Sequence, residues 1–141
     1  MEGWSFSTEV TVRFAETDAQ GIAHHAVYLV WFELARVEYL TRHAGGYQRL
    51  RDEGIESTVV EVNARYLAPA RFDERLSVHA RCVDRKRVSF RFEYLIERDG
   101  TPIAEGWSFH SVVDAQTLRP VRMPAWLERA MEAAEAASTS A

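Results

Sequence analysis

Between Val27 and Leu40 the chain places apolar residues on nearly every side of a helix. Tyr28, Trp31, Phe32, Ala35 and Tyr39 recur at helical spacing as one stripe. Leu29, Val30, Leu34, Val37 and Leu40 widen that stripe almost to the full circumference, and only Glu33, Arg36 and Glu38 carry charge within it. A helix this apolar has no face to give to water, so other parts of the chain must cover it on most sides. The pattern predicts a helix over about 26–43, ended by Gly45-Gly46.

The remainder of the chain can supply the cover. Val60, Val62, Ala64 and Tyr66 alternate with polar residues, and Leu76, Val78, Ala80 and Cys82 repeat the period. Val88, Phe90, Phe92, Tyr94 and Ile96 alternate most clearly and stop at Asp99-Gly100, a hairpin turn signal. Ile103, Glu105, Trp107, Phe109, Ser111 and Val113 read as one face of a last long strand. Ahead of the helix, Phe6, Thr8, Val10, Val12 and Phe14 show the same period of two. A short polar segment reaches Gly54; a short helix is expected after Pro124, and 131–141 reads as a disordered tail. The order is strand, buried helix, four strands. An antiparallel five-stranded sheet curled around one long central helix satisfies every segment, which is the α+β hot-dog fold in a single domain over 1–130. One such unit leaves an edge strand open and part of the helix uncovered, which predicts a homo-oligomer: a dimer with a continuous sheet, pairing further into a tetramer.

Composition narrows the function. The net charge of −4 over 141 residues gives no basis for nucleic-acid binding. No apolar run nears the roughly 20 residues of a membrane helix. The opening Met1-Glu2-Gly3-Trp4-Ser5 lacks a basic region and an apolar signal core, so a cytoplasmic protein is expected. Cys82 is the single cysteine, and no Cys or His/Asp set at ligand spacing accompanies the adjacent His24-His25; no metal and no cofactor are expected.

The chemistry concentrates just before the helix, in Ala15-Glu16-Thr17-Asp18-Ala19-Gln20-Gly21-Ile22-Ala23-His24-His25-Ala26. A helix N-terminus presents unpaired N–H groups and partial positive charge, which favour an anion or a developing oxyanion. A carboxylate beside such a terminus suits carbonyl chemistry, although Asp18 in an Asp-x-x-Gly loop also suits a turn or a cap.

Arg13 through Ile22, His25-Ala26, Tyr28-Leu29 and Phe32 through Leu40 resemble the opening of the 4-hydroxybenzoyl-CoA thioesterase-like hot-dog acyl-CoA thioesterases. Arg65 through Asp73 and Arg119 through Pro124 look like later landmarks of that family, so the likeness spans about 8–127. The resemblance implies hydrolysis of a small or medium acyl- or aroyl-CoA, the CoA being part of the substrate. It also implies that Asp18 is the catalytic carboxylate and that the backbone N–H of His25 polarises the thioester carbonyl. This chain departs from the family's Tyr-His-Ala-Asn-Tyr, having His24-His25-Ala26-Val27-Tyr28 instead.

Thioester hydrolysis needs a carbonyl polariser and an activated oxygen, and a thiol of pKa about 8.5 leaves as thiolate without a strict need for an acid. One carboxylate therefore suffices, and Asp18 either attacks directly or deprotonates water. Gly21 allows a positive φ or close ligand approach. His24 and Tyr28 are candidates to line the acyl pocket, and Glu33 is a fallback catalyst that an ion pair with Arg36 would also explain. Arg85-Lys86-Arg87, between two strands, could hold the phosphates of CoA or form a solvated turn. Cys82 alternates with apolar residues and reads as a buried filler. Two other readings compete: a hot-dog enoyl-thioester hydratase and a non-catalytic acyl-CoA-binding oligomer.

Overall fold

The alternating segments pair as the pattern requires. The computed structural model describes residues 3–139. Its strands β1 (Phe6–Thr11), β2 (Ile55–Tyr66), β3 (Arg75–Val83), β4 (Ser89–Arg98) and β5 (Thr101–Asp114) form one five-stranded sheet in the order β1-β3-β4-β5-β2. Every neighbouring pair is antiparallel. The helices are α1 (Val27–Ala44), α2 (Tyr47–Asp52) and α3 (Ala125–Thr139). This is the hot-dog arrangement.

Helix α1 lies against one face of the sheet. Tyr28, Phe32, Ala35 and Tyr39 are buried there with Leu76, Val78, Ala80, Phe90, Phe92 and Tyr94 of the strands. Phe32 stacks on Tyr94 with ring centroids 4.5 Å apart, and Tyr39 meets Phe92 edge-on at 5.0 Å. Burying each such side chain contributes about 1.5–3 kcal/mol. The helix ends where Gly45 takes a left-handed φ of +77° and returns its N–H to the Leu40 carbonyl. Gly106 of β5 sits under Phe32. A Cβ there would overlap the Asn63 carbonyl oxygen and lie 2.6 Å from the Phe32 ring, so only glycine lets helix and sheet approach this closely.

A polar chain runs through this packing. Arg36 is buried and donates to the hydroxyls of Tyr47 (3.2 Å) and Tyr94 (3.1 Å). Tyr94 is 2.6 Å from the Ser108 hydroxyl, which is 2.7 Å from His110 Nε2. The donor order that satisfies the chain runs from Arg36 through Tyr94 and Ser108 to His110. Burial, helped by the Arg36 charge, holds the His110 imidazole down at about 3.

The structure departs from the sequence reading at several places. β1 stops at Thr11, and Phe14 lies in a 3₁₀ turn (Phe14–Glu16) with three-quarters of its surface exposed. The Glu16 carboxylate closes that turn by accepting the Arg13 N–H at 2.8 Å. The polar segment after α1 is the helix α2, anchored by buried Leu50. The buried face of β5 is Ala104, Ser108, His110 and Val112 rather than Trp107, Phe109 and Ser111. Hydrogen bonding by Ser108 and His110 is what makes that polar face fit a core. In β2, one of the two edge strands, Val59, Val60, Val62 and Tyr66 are all exposed. Val30 and Leu34 of α1 are likewise exposed.

The chain expected to fray continues as α3 through Thr139, while 140–141 lie outside the described residues. Leu127, Met131 and Ala134 are buried at helical spacing. Glu135 accepts from the hydroxyls of Tyr39 (2.5 Å) and Ser5 (2.8 Å) and from the Cys82 N–H (3.1 Å). Among the described residues no helix is long and apolar enough to cross a membrane.

The packing has two measurable consequences. Gly106→Ala should lose about 1–3 kcal/mol of stability, read as a fall in the urea midpoint at constant slope, since the overlap lies against backbone and a stacked ring. For His110, a folded pKa below the ordinary 6.5 means that protons bind the unfolded chain preferentially. Its contribution to stability is complete above about pH 6.5 and is lost as pH falls towards 3, by about 1.4 kcal/mol per unit. Its ring resonances in NMR should show no titration between pH 8 and 5, and a midpoint near 6.5 would contradict the buried chain.

Candidate active site

The loop between β1 and α1 is built by its own backbone. After the 3₁₀ turn, Thr17 and Ala23 pair as an antiparallel bridge, the Asp18 N–H donates to the Ile22 carbonyl, and the Gly21 N–H donates to the Asp18 carbonyl, both at 2.9 Å. Gly21 has φ +78°, the conformation this tight reversal needs, and a Cβ there would meet nothing within 4 Å. Asp18 Oδ1 accepts the Gln20 N–H at 2.8 Å. The turn-shaping reading of Asp18 therefore holds for one carboxylate oxygen. Among the described residues, no hydrogen bond or ion pair engages the other oxygen. The Ala23 N–H donates to the Ala70 carbonyl at 2.8 Å and Ile22 bridges to Arg71, which fastens the loop to the chain preceding β3.

The next turn, His24 to Ala26, carries two consecutive peptides whose polar groups are almost all engaged. The His24 carbonyl accepts the Val27 N–H at 2.9 Å. The His25 carbonyl accepts the Tyr66 hydroxyl at 2.6 Å, and the Ala26 N–H donates to His24 Nδ1 at 3.2 Å. The fourth group, the His25 N–H, has no acceptor among the described residues. In a trans peptide it points away from the His24 carbonyl, whose direction Val27 fixes. It lies beside the start of α1, whose N-cap residue Ala26 offers no side-chain cap and whose first turn holds no acid. Among the described residues, neither a side-chain cap nor a first-turn acid offsets the positive end of the helix.

Asp18, His25, Tyr28 and Tyr66 line one cleft with Leu67 and Pro69, of about 500 Å³. Tyr28 is buried at its base, edge-on to Tyr66 at 4.9 Å, and burial pushes its hydroxyl pKa up. An acid oxygen, a preset N–H donor and apolar walls are what a carbonyl substrate of this size requires.

Placement of the remaining sequence candidates is uneven. His25 stands one residue before the N-cap Ala26, outside the first turn of α1. His24 does not line the cleft: its ring stacks on His25 at 4.3 Å and its Nδ1, accepting from Ala26, holds the turn. Glu33 is also outside the cleft, with a largely exposed carboxylate 3.9 Å from Arg36. Arg85, Lys86 and Arg87 connect β3 to β4. The β1–β3 register pairs Thr11 with Arg75 and Phe6 with Ala80, which puts the Asp18 loop at the start of β3 and Arg85–Arg87 at the opposite end of the sheet. Cys82 is buried and its thiol is pushed up to about 12, so it is no nucleophile. Sequence reasoning missed Tyr66, since nothing in its local pattern separates it from other strand aromatics.

Comparisons with known proteins bear on the family and the fold. A model of the thioesterase-like superfamily matches residues 12–131. An acyl-CoA thioesterase of Haemophilus influenzae is 32% identical over 84% of this chain and 88% of its own length. The crystal structure of a hypothetical protein from Thermus thermophilus has a TM-score of 0.85 at 37% identity, covering 91% of this chain and 98% of that one. A thioesterase from the same species, crystallised with coenzyme A and zinc, has a TM-score of 0.84 at 29% identity, covering 96% of this chain and 98% of that one.

Proposed function

This chain belongs to the thioesterase-like superfamily, and on that footing we propose that it hydrolyses the thioester of a small or medium acyl- or aroyl-CoA to the free acid and CoA. The observation that carries the reading is the pairing of an unengaged His25 N–H with an Asp18 carboxylate on one apolar cleft. The thioester carbonyl oxygen takes the His25 N–H, and the uncapped end of α1 stabilises the negative charge that grows there. Asp18 Oδ1 stays on the Gln20 N–H, which holds the carboxylate in place. The other oxygen either takes a proton from the attacking water or attacks the carbonyl carbon to give an anhydride that water then opens. In the first route water's oxygen ends on the acyl carbon; in the second it ends on the acyl carbon or on Asp18, according to which anhydride carbonyl water attacks. In both the C–S bond breaks, and CoA leaves as thiolate and collects the proton. A single turnover in ¹⁸O-water tests the second route: label in the Asp18 carboxylate establishes Asp18 as the nucleophile, with water opening the anhydride at its carboxyl carbon.

The enzyme acts in the cytoplasm as an oligomer. β2 is an open edge bearing Val60, Val62 and Tyr66, and pairing it with its copy across a two-fold axis makes one continuous sheet. That operation reverses strand direction. It brings Arg85, Lys86 and Arg87 of the partner subunit to the sheet end that holds the Asp18 cleft, where they can meet the phosphates of CoA. Two such dimers pair into a tetramer, and the exposed Val30 and Leu34 of α1 support burial against a further copy.

Thiol release from a panel of acyl-CoAs tests the reading. Asp18→Asn should lower the rate by at least about 10²-fold, whereas Glu33→Gln should keep most of it. Unchanged release in Asp18→Asn would sink the mechanism, and a large loss in Glu33→Gln would move the acid to Glu33. Sedimentation should show no monomer at micromolar concentration, and a charged pair introduced at Val60 and Val62 should produce one.

A further inference from the structure

Of the ties that hold the His24–Ala26 turn, all but one are local. The Val27 N–H to the His24 carbonyl and the Ala26 N–H to His24 Nδ1 lie within the turn itself. The His24 N–H reaches only back to Glu16, in the same loop, at 2.8 Å. The exception is the Tyr66 hydroxyl, which crosses from β2 to the His25 carbonyl at 2.6 Å. The local bonds set the shape of the turn; the Ala70 and Arg71 contacts fix the chain that enters it, and the bond from Tyr66 fixes the His25 peptide itself relative to the sheet and the cleft wall.

Tyr66 is well placed to act as a fixed point. Its strand position is held by the register with Ala104 of β5. The chain after it is pinned where the N–H groups of Leu67 (2.8 Å) and Ala68 (3.1 Å) both donate to the Ile103 carbonyl. Its ring rests edge-on against Tyr28, itself buried in the core. The hydroxyl leans on a rigid base while the group it holds is an exposed loop. Slight desolvation moves the hydroxyl pKa further above its ordinary value, so the group is protonated and able to donate.

We propose that Tyr66 is a positioning residue for the reaction: by anchoring the His25 carbonyl from the edge strand, it aims the neighbouring His25 N–H at the thioester oxygen. The proposal rests on the hydrolase reading given above. An N–H donor stabilises an oxyanion only within a narrow range of direction, so a peptide free to rock about its φ and ψ loses that stabilisation in the transition state more than in the ground state. Removing the hydroxyl leaves the His25 carbonyl at an exposed site where water can replace it, so the fold has little to lose. The arrangement also ties the catalytic turn to the open edge strand, so pairing at β2 would bear directly on the site.

The test is Tyr66→Phe, which keeps the ring and its contact with Tyr28. The expected result is a kcat lower by about tenfold with KM changed by less than about twofold, a fraction of the loss seen when an oxyanion donor is deleted outright. Thermal midpoint should move by less than about 2 °C, and the backbone ¹H–¹⁵N resonances of His25 and Ala26 should shift while those of α3 stay in place. Retention of wild-type kcat in Tyr66→Phe, with the wild type active, overturns this proposal and leaves the hydrolase reading intact. A kcat loss accompanied by a large fall in thermal midpoint and general resonance changes marks Tyr66 as merely structural and overturns it as well. Failure of the wild type to release thiol from any acyl-CoA overturns the hydrolase reading, and this proposal with it.

Discussion

The approach of α1 to the sheet, set by Phe32 lying over Gly106 and stacked on Tyr94, is the contact on which the rest of the molecule depends. A side chain at position 106 would push the helix away from β5. Moving the helix moves its N-terminus, and with it the His24–Ala26 turn and the cleft floor at Tyr28. Close packing of this kind transmits displacement rather than absorbing it, because an interior at native density has little free volume. The buried chain from Arg36 to His110 reinforces the same seating: it joins α1 to β4 and β5 by hydrogen bonds whose loss would leave polar groups stranded in the core.

The site uses what this packing leaves over. A helix end normally has its first N–H groups satisfied by a side-chain cap. Here Ala26 supplies none, and the loop before it satisfies its own backbone while leaving the His25 N–H open. Asp18 is divided in function, one oxygen shaping the loop and the other available to the cleft. The loop owes its shape to short-range bonds and Gly21, and its position to three distant partners: Ala70, Arg71 and Tyr66. The open edge of β2 and the bare Val30 and Leu34 on α1 mark where the single chain is unfinished.

The strands β3 and β4 and the helix α1 were legible because each is periodic and long, the Asp99-Gly100 hairpin because its turn signal is local, and the turn role of Asp18 because an Asp-x-x-Gly reversal is local too. Less of β5 was legible. Its apolar-looking face, Trp107 and Phe109, is the outer one, and the inner face carries Ser108 and His110 Nε2, which join the hydrogen-bond chain running from Arg36 through Tyr94. The end of α3 was hidden in an alanine- and glutamate-rich stretch whose meaning appears only when Glu135 meets Tyr39, Ser5 and Cys82. His24 looked like a pocket residue and is a turn tie, a role that depends on ring orientation.

By itself the sequence determined the class of fold, through an apolar helix that has to be wrapped and alternating segments able to wrap it. It also marked the turn at Asp18, since the reversal in Asp18-Ala19-Gln20-Gly21 needs no distant partner. Only the tertiary structure decided which backbone N–H stays open, which tyrosine bonds to the neighbouring carbonyl, and that Arg85–Arg87 stand at the far end of their own sheet from the cleft. These are relations between residues far apart in the chain, and periodicity carries information only about neighbours on the same element.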